Sequence, residues 1–145
     1  MNKPDSDEHN KAIVEAFVEK YKNEHDWDCV DTYVAENCKL HLPVPGLPAG
    51  REGMRANGKL MCTAFPDVHV TREFAIAQNG IVVERAYARA THQAPLMGIP
   101  ATNKPVTWTE LHAYRVKGDL IIEIWSEADF LGVMVQIGAV DMPAA

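Results

Sequence analysis

An α+β fold is predicted for this chain, with helices gathered in its first half and a curved, mainly antiparallel sheet in its second. Three observations predict it. Apolar residues recur at helical spacing up to Phe65, the period changes to two from Val68 onward, and Asn79-Gly80 separates two β-rich runs as a hairpin turn does. A strongly twisted sheet can curl round such helices and leave an apolar pocket at its open end.

Asp5, Ser6 and Asp7 offer N-caps for a first helix whose buried side is Ile13, Phe17 and Tyr21, with Val14 and Val18 beside it. Asn23 to Asp26 breaks it. Trp27, Val30, Tyr33 and Val34 then predict a shorter helix capped by Asp26. Cys38 to Leu42 alternates Leu40 and Leu42 against His41, as a short strand would. Pro43, Pro45 and Pro48 predict a rigid loop through Gly50. Arg51 to Phe65 resumes helical spacing, and Pro66-Asp67 ends it.

Val68, Val70, Arg72, Phe74 and Ile76 predict one side of a strand. After Asn79-Gly80, the strand Ile81 to His92 carries Val82, Glu84, Ala86, Ala88, Ala90 and His92 on one face. A row of alanines either lets another element approach closely or leaves space for a ligand. The loop Ala94 to Lys104 leads to a strand on which Trp108, Glu110, His112 and Tyr114 share a face. The opposite face, Thr107, Thr109, Leu111, Ala113 and Arg115, is not convincingly apolar. A turn at Lys117-Gly118-Asp119 and a last strand follow, then a short helix from Phe130 to Ile137 with Asp129 at its N-cap. Pairing of equal parity across that turn puts His112 with Ile124 and Ser126. A two-residue loop would instead place Glu123, Trp125 and Glu127 on the His112 side.

Composition excludes several functions. The chain has 145 residues, 47% of them hydrophobic and 23% charged, which suits one globular domain spanning 1–145. A net charge of −6 argues against nucleic acid and against an anionic membrane surface. No apolar run approaches the roughly 18 residues of a membrane span, and the opening MNKPDSDEHNK is too polar for a secretory signal. A cytoplasmic location is therefore expected. Cys29, Cys38 and Cys62 form no CxxC and suit reduced thiols. The six histidines lack HxxxH or HxH spacing, and no phosphate loop or GxSxG elbow is present, so neither a metal nor an organic cofactor is expected.

The chemistry concentrates on the strand of Trp108. An acid, an imidazole, an indole and a phenol on one face look like the lining of a small-molecule cavity. In an apolar pocket, burial should raise the pKa of Glu110 and lower that of His112, letting the pair exchange protons with a carbonyl compound. Asp129 is a further candidate acid, with helix capping as its competing role. His92 and His41 are candidate ligand contacts at strand ends. Tyr33, Trp108, Trp125, Phe130 and Met61 are candidate wall residues, each with an ordinary core role as the alternative.

Four segments in register, FPDVHV at Phe65 to Val70, THQAPLMGIPATNK at Thr91 to Lys104, LHAYRV at Leu111 to Val116 and EIWSEADFLGVMVQIG at Glu123 to Gly138, resemble the SnoaL-like polyketide cyclases. These belong to the nuclear-transport-factor-2-like superfamily of cone-shaped α+β barrels. The resemblance implies three helices against a curved sheet around a deep pocket, and an intramolecular aldol cyclisation run without metal or organic cofactor. It implies a pocket histidine at His112. The family's catalytic aspartate falls at Ser126, and serine cannot take a proton from an activated methylene near neutrality.

The expected function is therefore acid–base chemistry (aldol cyclisation, isomerisation or dehydration) on a small hydrophobic, cyclic carbonyl compound. A non-catalytic carrier with the same pocket is the alternative. The superfamily's exposed sheet implies a homodimer, for which Val83, Tyr87 and Trp125 would suit the contact.

Overall fold

A computed structural model describes residues 5–144; the first four residues of the polar opening stretch and residue 145 lie outside the described residues. Helix α1 (Asp7–Val18) starts where Ser6 accepts a hydrogen bond from the His9 backbone N–H at 3.1 Å. It runs directly into a π-helical turn, Glu19–Asn23, closed by the Glu24 N–H bonding the Glu19 carbonyl at 3.0 Å. A 3₁₀ turn (Trp27–Cys29) and a single α-turn, α2 (Val30–Tyr33), follow. Asp26 stands at the N-cap position, but its side chain makes no capping bond there.

Strand β1 (Val34–His41) begins four residues before the alternation of Leu40 and Leu42 suggests, because Val34 and Ala35 are buried at the strand's start. After the Pro-rich loop, α3 (Arg51–Ala64) packs near β1. Gly53 permits that approach. A Cβ there would sit 2.1 Å from the Pro48 carbonyl oxygen and 2.6 Å from Leu40 Cδ1. The leucine tip can move; the backbone oxygen cannot without shifting the loop. Gly53→Ala is thus expected to destabilise the protein by about 1–3 kcal/mol, the overpacking cost exceeding the ~1 kcal/mol of helix propensity that alanine adds. A urea titration should show a lower midpoint with an unchanged slope.

Four antiparallel strands complete the sheet: β2 (His69–Gln78), β3 (Ile81–Thr91), β4 (Pro105–Lys117) and β5 (Leu120–Ala128). The sheet order is β1-β5-β4-β3-β2, with β1 parallel to β5. The two edges do not pair, so the curled sheet stays open rather than closing into a barrel. Asn79 and Gly80 both have positive φ (54° and 79°), as a two-residue type I′ hairpin requires.

Two bulges alter the predicted alternation. Arg72 pairs with Ala86 but Phe74 with Arg85, which leaves Glu73 as an extra residue. Val70 therefore faces the core while Phe74 and Ile76 are exposed, and Ala75 and Ala77 take the inward positions. In the β4–β5 hairpin, Lys117 pairs with Leu120 across a two-residue turn, yet Arg115 pairs with Glu123. Ile122 is the extra residue. The tight turn and equal-parity pairing both occur, since the bulge restores the parity and sets His112 opposite Ser126.

Two apolar clusters fill the concave side. One joins α1, the π turn, α2 and β1 to Val82, Tyr114, Ile121 and Ile124. The other joins Ala64 and Phe65 to Leu96, Val106, Trp108, Val133 and Ile137. Ala86, Ala88 and Ala90 belong to the second cluster, so the alanine row serves close packing. Helix α4 (Phe130–Gln136) lies against β4, where the Gln136 amide bonds both backbone groups of Thr107 at 2.9 and 2.7 Å.

Candidate functional site

Between the two clusters lies a cavity of about 90 Å³. That is several times the ~10–15 Å³ needed by one water. It has room for a small ring, and a larger skeleton would have to extend out of it. Its walls are mostly apolar: Leu42, Pro43, Val44, Met61, Phe65, Val68, Val70, Trp108, Ala128 and Phe130. The polar groups that reach it are Tyr21, Lys22, Asn57, Glu110, His112 and Ser126.

Strand β4 delivers the centre of the site. Its alternation turns Trp108, Glu110, His112 and Tyr114 inward and leaves Leu111 exposed, so the polar row is the buried face. Glu110 accepts on both of its oxygens. Its Oε1 takes the Trp108 indole N–H at 2.9 Å, and its Oε2 takes the Lys22 ammonium at 2.5 Å. The same Oε2 lies 2.8 Å from His112 Nε2, which also lies 2.8 Å from Lys22 Nζ. His112 Nε2 therefore donates to Glu110 in one neutral tautomer and accepts from Lys22 in the other.

Lys22 is the residue that sequence reasoning missed. A lysine at the end of an amphipathic helix reads as solvated, and nothing in the spacing signals a π turn. That wide turn sets both Tyr21 and Lys22 on the cavity. It is fastened in two places. Asn23 bonds both backbone groups of Val70, at 2.8 and 3.1 Å, and the Tyr21 hydroxyl donates to the Met54 carbonyl at 2.7 Å.

The lysine reverses one expectation. Burial does penalise the Glu110 carboxylate, but the Lys22 ammonium and the hydrogen bond from His112 outweigh it, holding Glu110 well below the usual carboxylate range. Glu110 is thus an ionised anchor. His112 behaves as expected: burial first, then the Lys22 charge, lowers its pKa below 6.5, although Glu110 pulls the other way. At neutral pH Glu110 is therefore a carboxylate and His112 a neutral imidazole. Behind it, fully buried Glu84 on β3 pairs across from His112 and accepts from Arg72 Nε at 2.9 Å and the Tyr114 hydroxyl at 3.2 Å.

Ser126, Trp108, Phe130 and Met61 line the cavity with Glu110 and His112. Five other candidates are placed elsewhere. Asp129 is exposed and caps α4, accepting the Gly132 N–H at 2.8 Å. His41 and Trp125 lie on the outer side, stacked 5.4 Å apart, with His41 bonded to Glu123 and Arg115 over the indole. The register set by the Ile122 bulge sends Trp125 outward. His92 is buried beside Phe65, its Nδ1 held by Thr102, outside the cavity wall. Tyr33 packs against the first cluster. Among the described residues no group of His, Cys, Asp and Glu side chains is arranged to hold a metal, and no helix is long and apolar enough to cross a membrane.

The cone of helices and curled sheet recurs in solved structures. TsrD from Streptomyces laurentii is 24% identical, with a TM-score of 0.83 over 93% of this chain and 98% of its own. IdmH from Streptomyces antibioticus, provisionally assigned as a polyketide cyclase, is 28% identical, with a TM-score of 0.78 over 89% and 98%. AclR from Streptomyces galilaeus, provisionally assigned as a hydroxylase, is 20% identical, with a TM-score of 0.83 over 94% and 100%. No curated protein sequence matches the chain. Residues 11–137, which carry all but the first turn of α1, the other helices, all five strands and the cavity, match the SnoaL-like polyketide cyclase family, and the chain belongs to it.

Proposed function

We propose that this protein catalyses cofactor-independent proton transfer on a small hydrophobic, cyclic carbonyl compound, leading to aldol ring closure, isomerisation or loss of water. One observation carries the reading: an imidazole whose Nε2 lies 2.8 Å from a carboxylate oxygen stands in a largely apolar cavity. When Nε2 donates to Glu110, His112 Nδ1 keeps its lone pair and serves as the base. The imidazolium formed by accepting a proton is then stabilised by the Glu110 carboxylate. Ser126 stands across from His112 where the resemblance implies the family's acid, and its hydroxyl offers only hydrogen bonding. The proton-transfer role falls to the histidine.

The test is a panel of ring-containing ketones and esters, each followed for binding and for turnover by mass and absorbance. Turnover of at least one member is expected. Tight binding across the panel with no chemical change favours the carrier reading, which the replacement of the family's acid by Ser126 also supports.

Asp129 provides a second check. Asparagine caps helices about as well as aspartate, so Asp129→Asn should preserve both stability and turnover. Loss of a working acid–base group would instead lower turnover typically ~10²–10⁴-fold. Such a drop would return Asp129 to the chemistry.

A homodimer is the proposed assembly. Tyr87, Leu111, Phe74 and Ile76 are exposed large hydrophobic residues on β2, β3 and β4. Native mass spectrometry at micromolar concentration is expected to show a dimer, and a monomer alone would end the proposal.

A further inference from the structure

We propose that the Lys22 ammonium binds the substrate's carbonyl oxygen and holds the oxyanion that forms when the neighbouring carbon loses its proton. The inference deepens the acid–base reading and rests on it for the chemistry; the binding can be tested separately.

An ammonium has three N–H donors. Among the described residues Lys22 Nζ has two partners, Glu110 Oε2 and His112 Nε2. When Nε2 instead donates to Glu110, Lys22 keeps two donors unspent. At least one therefore remains for an occupant of a cavity walled by Met61, Phe65 and Val70, where a charged donor has few other acceptors. The side chain is only 15% exposed, so bulk water does not fully satisfy it.

The other polar groups cannot take this role. Glu110 only accepts hydrogen bonds and would repel an oxyanion, the Tyr21 hydroxyl spends its proton on the Met54 carbonyl, and Ser126 and Asn57 supply neutral donors without charge. His112 is engaged by the proton. An ammonium gains little from a neutral ketone oxygen and much more from an oxyanion in a water-poor site, which is the differential binding that accelerates a reaction. The step balances. The C–H bond next to the carbonyl breaks, its electron pair becomes the carbon–carbon double bond, and the carbonyl π pair moves to oxygen. The proton goes to His112, and no oxidant or reductant takes part. The π turn matters because Asn23, next in sequence, is held to β2 at both backbone groups of Val70, which fixes the base of the Lys22 side chain.

A phenolate is a stable mimic of an enolate oxyanion. A series of nitrophenols of increasing size, whose phenolates are coloured, can be titrated against the protein across pH. The wild-type protein is expected to bind phenolate at least about tenfold more tightly than the neutral phenol, the value of one charge-assisted hydrogen bond. Glu110→Gln removes the competing anion and should keep or strengthen that preference. Lys22→Met combined with Glu110→Gln leaves no unpaired buried charge and should abolish it.

The proposal is overturned if the wild type prefers the neutral phenol, if the double variant keeps the phenolate preference, or if no phenol binds. Absence of the preference together with turnover that depends on His112 removes Lys22 from this role and leaves the acid–base reading standing. A phenolate preference alongside turnover indifferent to His112 does the reverse.

Discussion

His112→Ala should lower turnover of an accepted ketone or ester by roughly 10²–10⁴-fold while leaving its binding within a few-fold, the pattern for loss of a positioned proton-transfer group. The reason is local. Glu110 is held ionised, with donors on both oxygens, so it cannot stand in as the base, and Ser126 has no suitable pKa. The pH profile gives an independent check. Burial and Lys22 lower the His112 pKa below its ordinary 6.5, so the imidazole is in its basic form at neutral pH. Activity should therefore be flat near neutrality and fall only on acidification below about that value. Glu110→Gln removes the stronger of the two carboxylates, Glu110 and Glu84, that raise the His112 pKa, and the acid limb should move to still lower pH. If turnover persists in His112→Ala with an unchanged profile, the site does not act through this residue.

The fold was readable because long elements obey one period. Trp108 to Tyr114 alternates cleanly, which separates its two faces, but neither is convincingly apolar and the burial of the polar one emerges from the structure. What escaped the sequence depends on a single extra residue. The bulge at Glu73 moves Phe74 and Ile76 outward, and the one at Ile122 decides whether Trp125 or Ser126 meets the cavity. Neither a glutamate nor an isoleucine marks a strand position as a bulge, because a bulge arises from how two strands meet. The same holds for Lys22. Helical periodicity assigns Tyr21 to the buried side, yet the widened turn also sets Lys22 on the cavity. Without that lysine the expectation for Glu110 follows ordinary desolvation and has the wrong sign. Asp129 was legible, since acids favour helix N-caps.

Lys22→Met is expected to cost about 3–5 kcal/mol of stability at neutral pH, because it strands an ionised carboxylate in a nearly buried place. The pair qualifies: the two side chains are 15% and 9% exposed, too little for solvent to screen them as it screens surface pairs. The pH dependence should also change sign. In the wild type the folded pKa of Glu110 lies below its ordinary 4.5, so its contribution to stability is present above that value and is lost only as pH falls through the folded pKa. In the variant, burial acts without the ammonium and lifts the folded pKa above 4.5. The variant should then gain stability relative to wild type as pH falls from about 8 to about 5, and lose it as pH rises through the lifted value. His112 adds to the same trend: freed of the neighbouring charge, it protonates more readily and pairs with Glu110. Removing both charges in Lys22→Met with Glu110→Gln should recover roughly 1–4 kcal/mol of the loss. Urea unfolding of the three proteins at the two pH values measures each quantity. A single variant that loses under about 1 kcal/mol with no pH dependence would mean water reaches the pair, and the Lys22 charge would then be too well screened to hold either a carboxylate or an enolate.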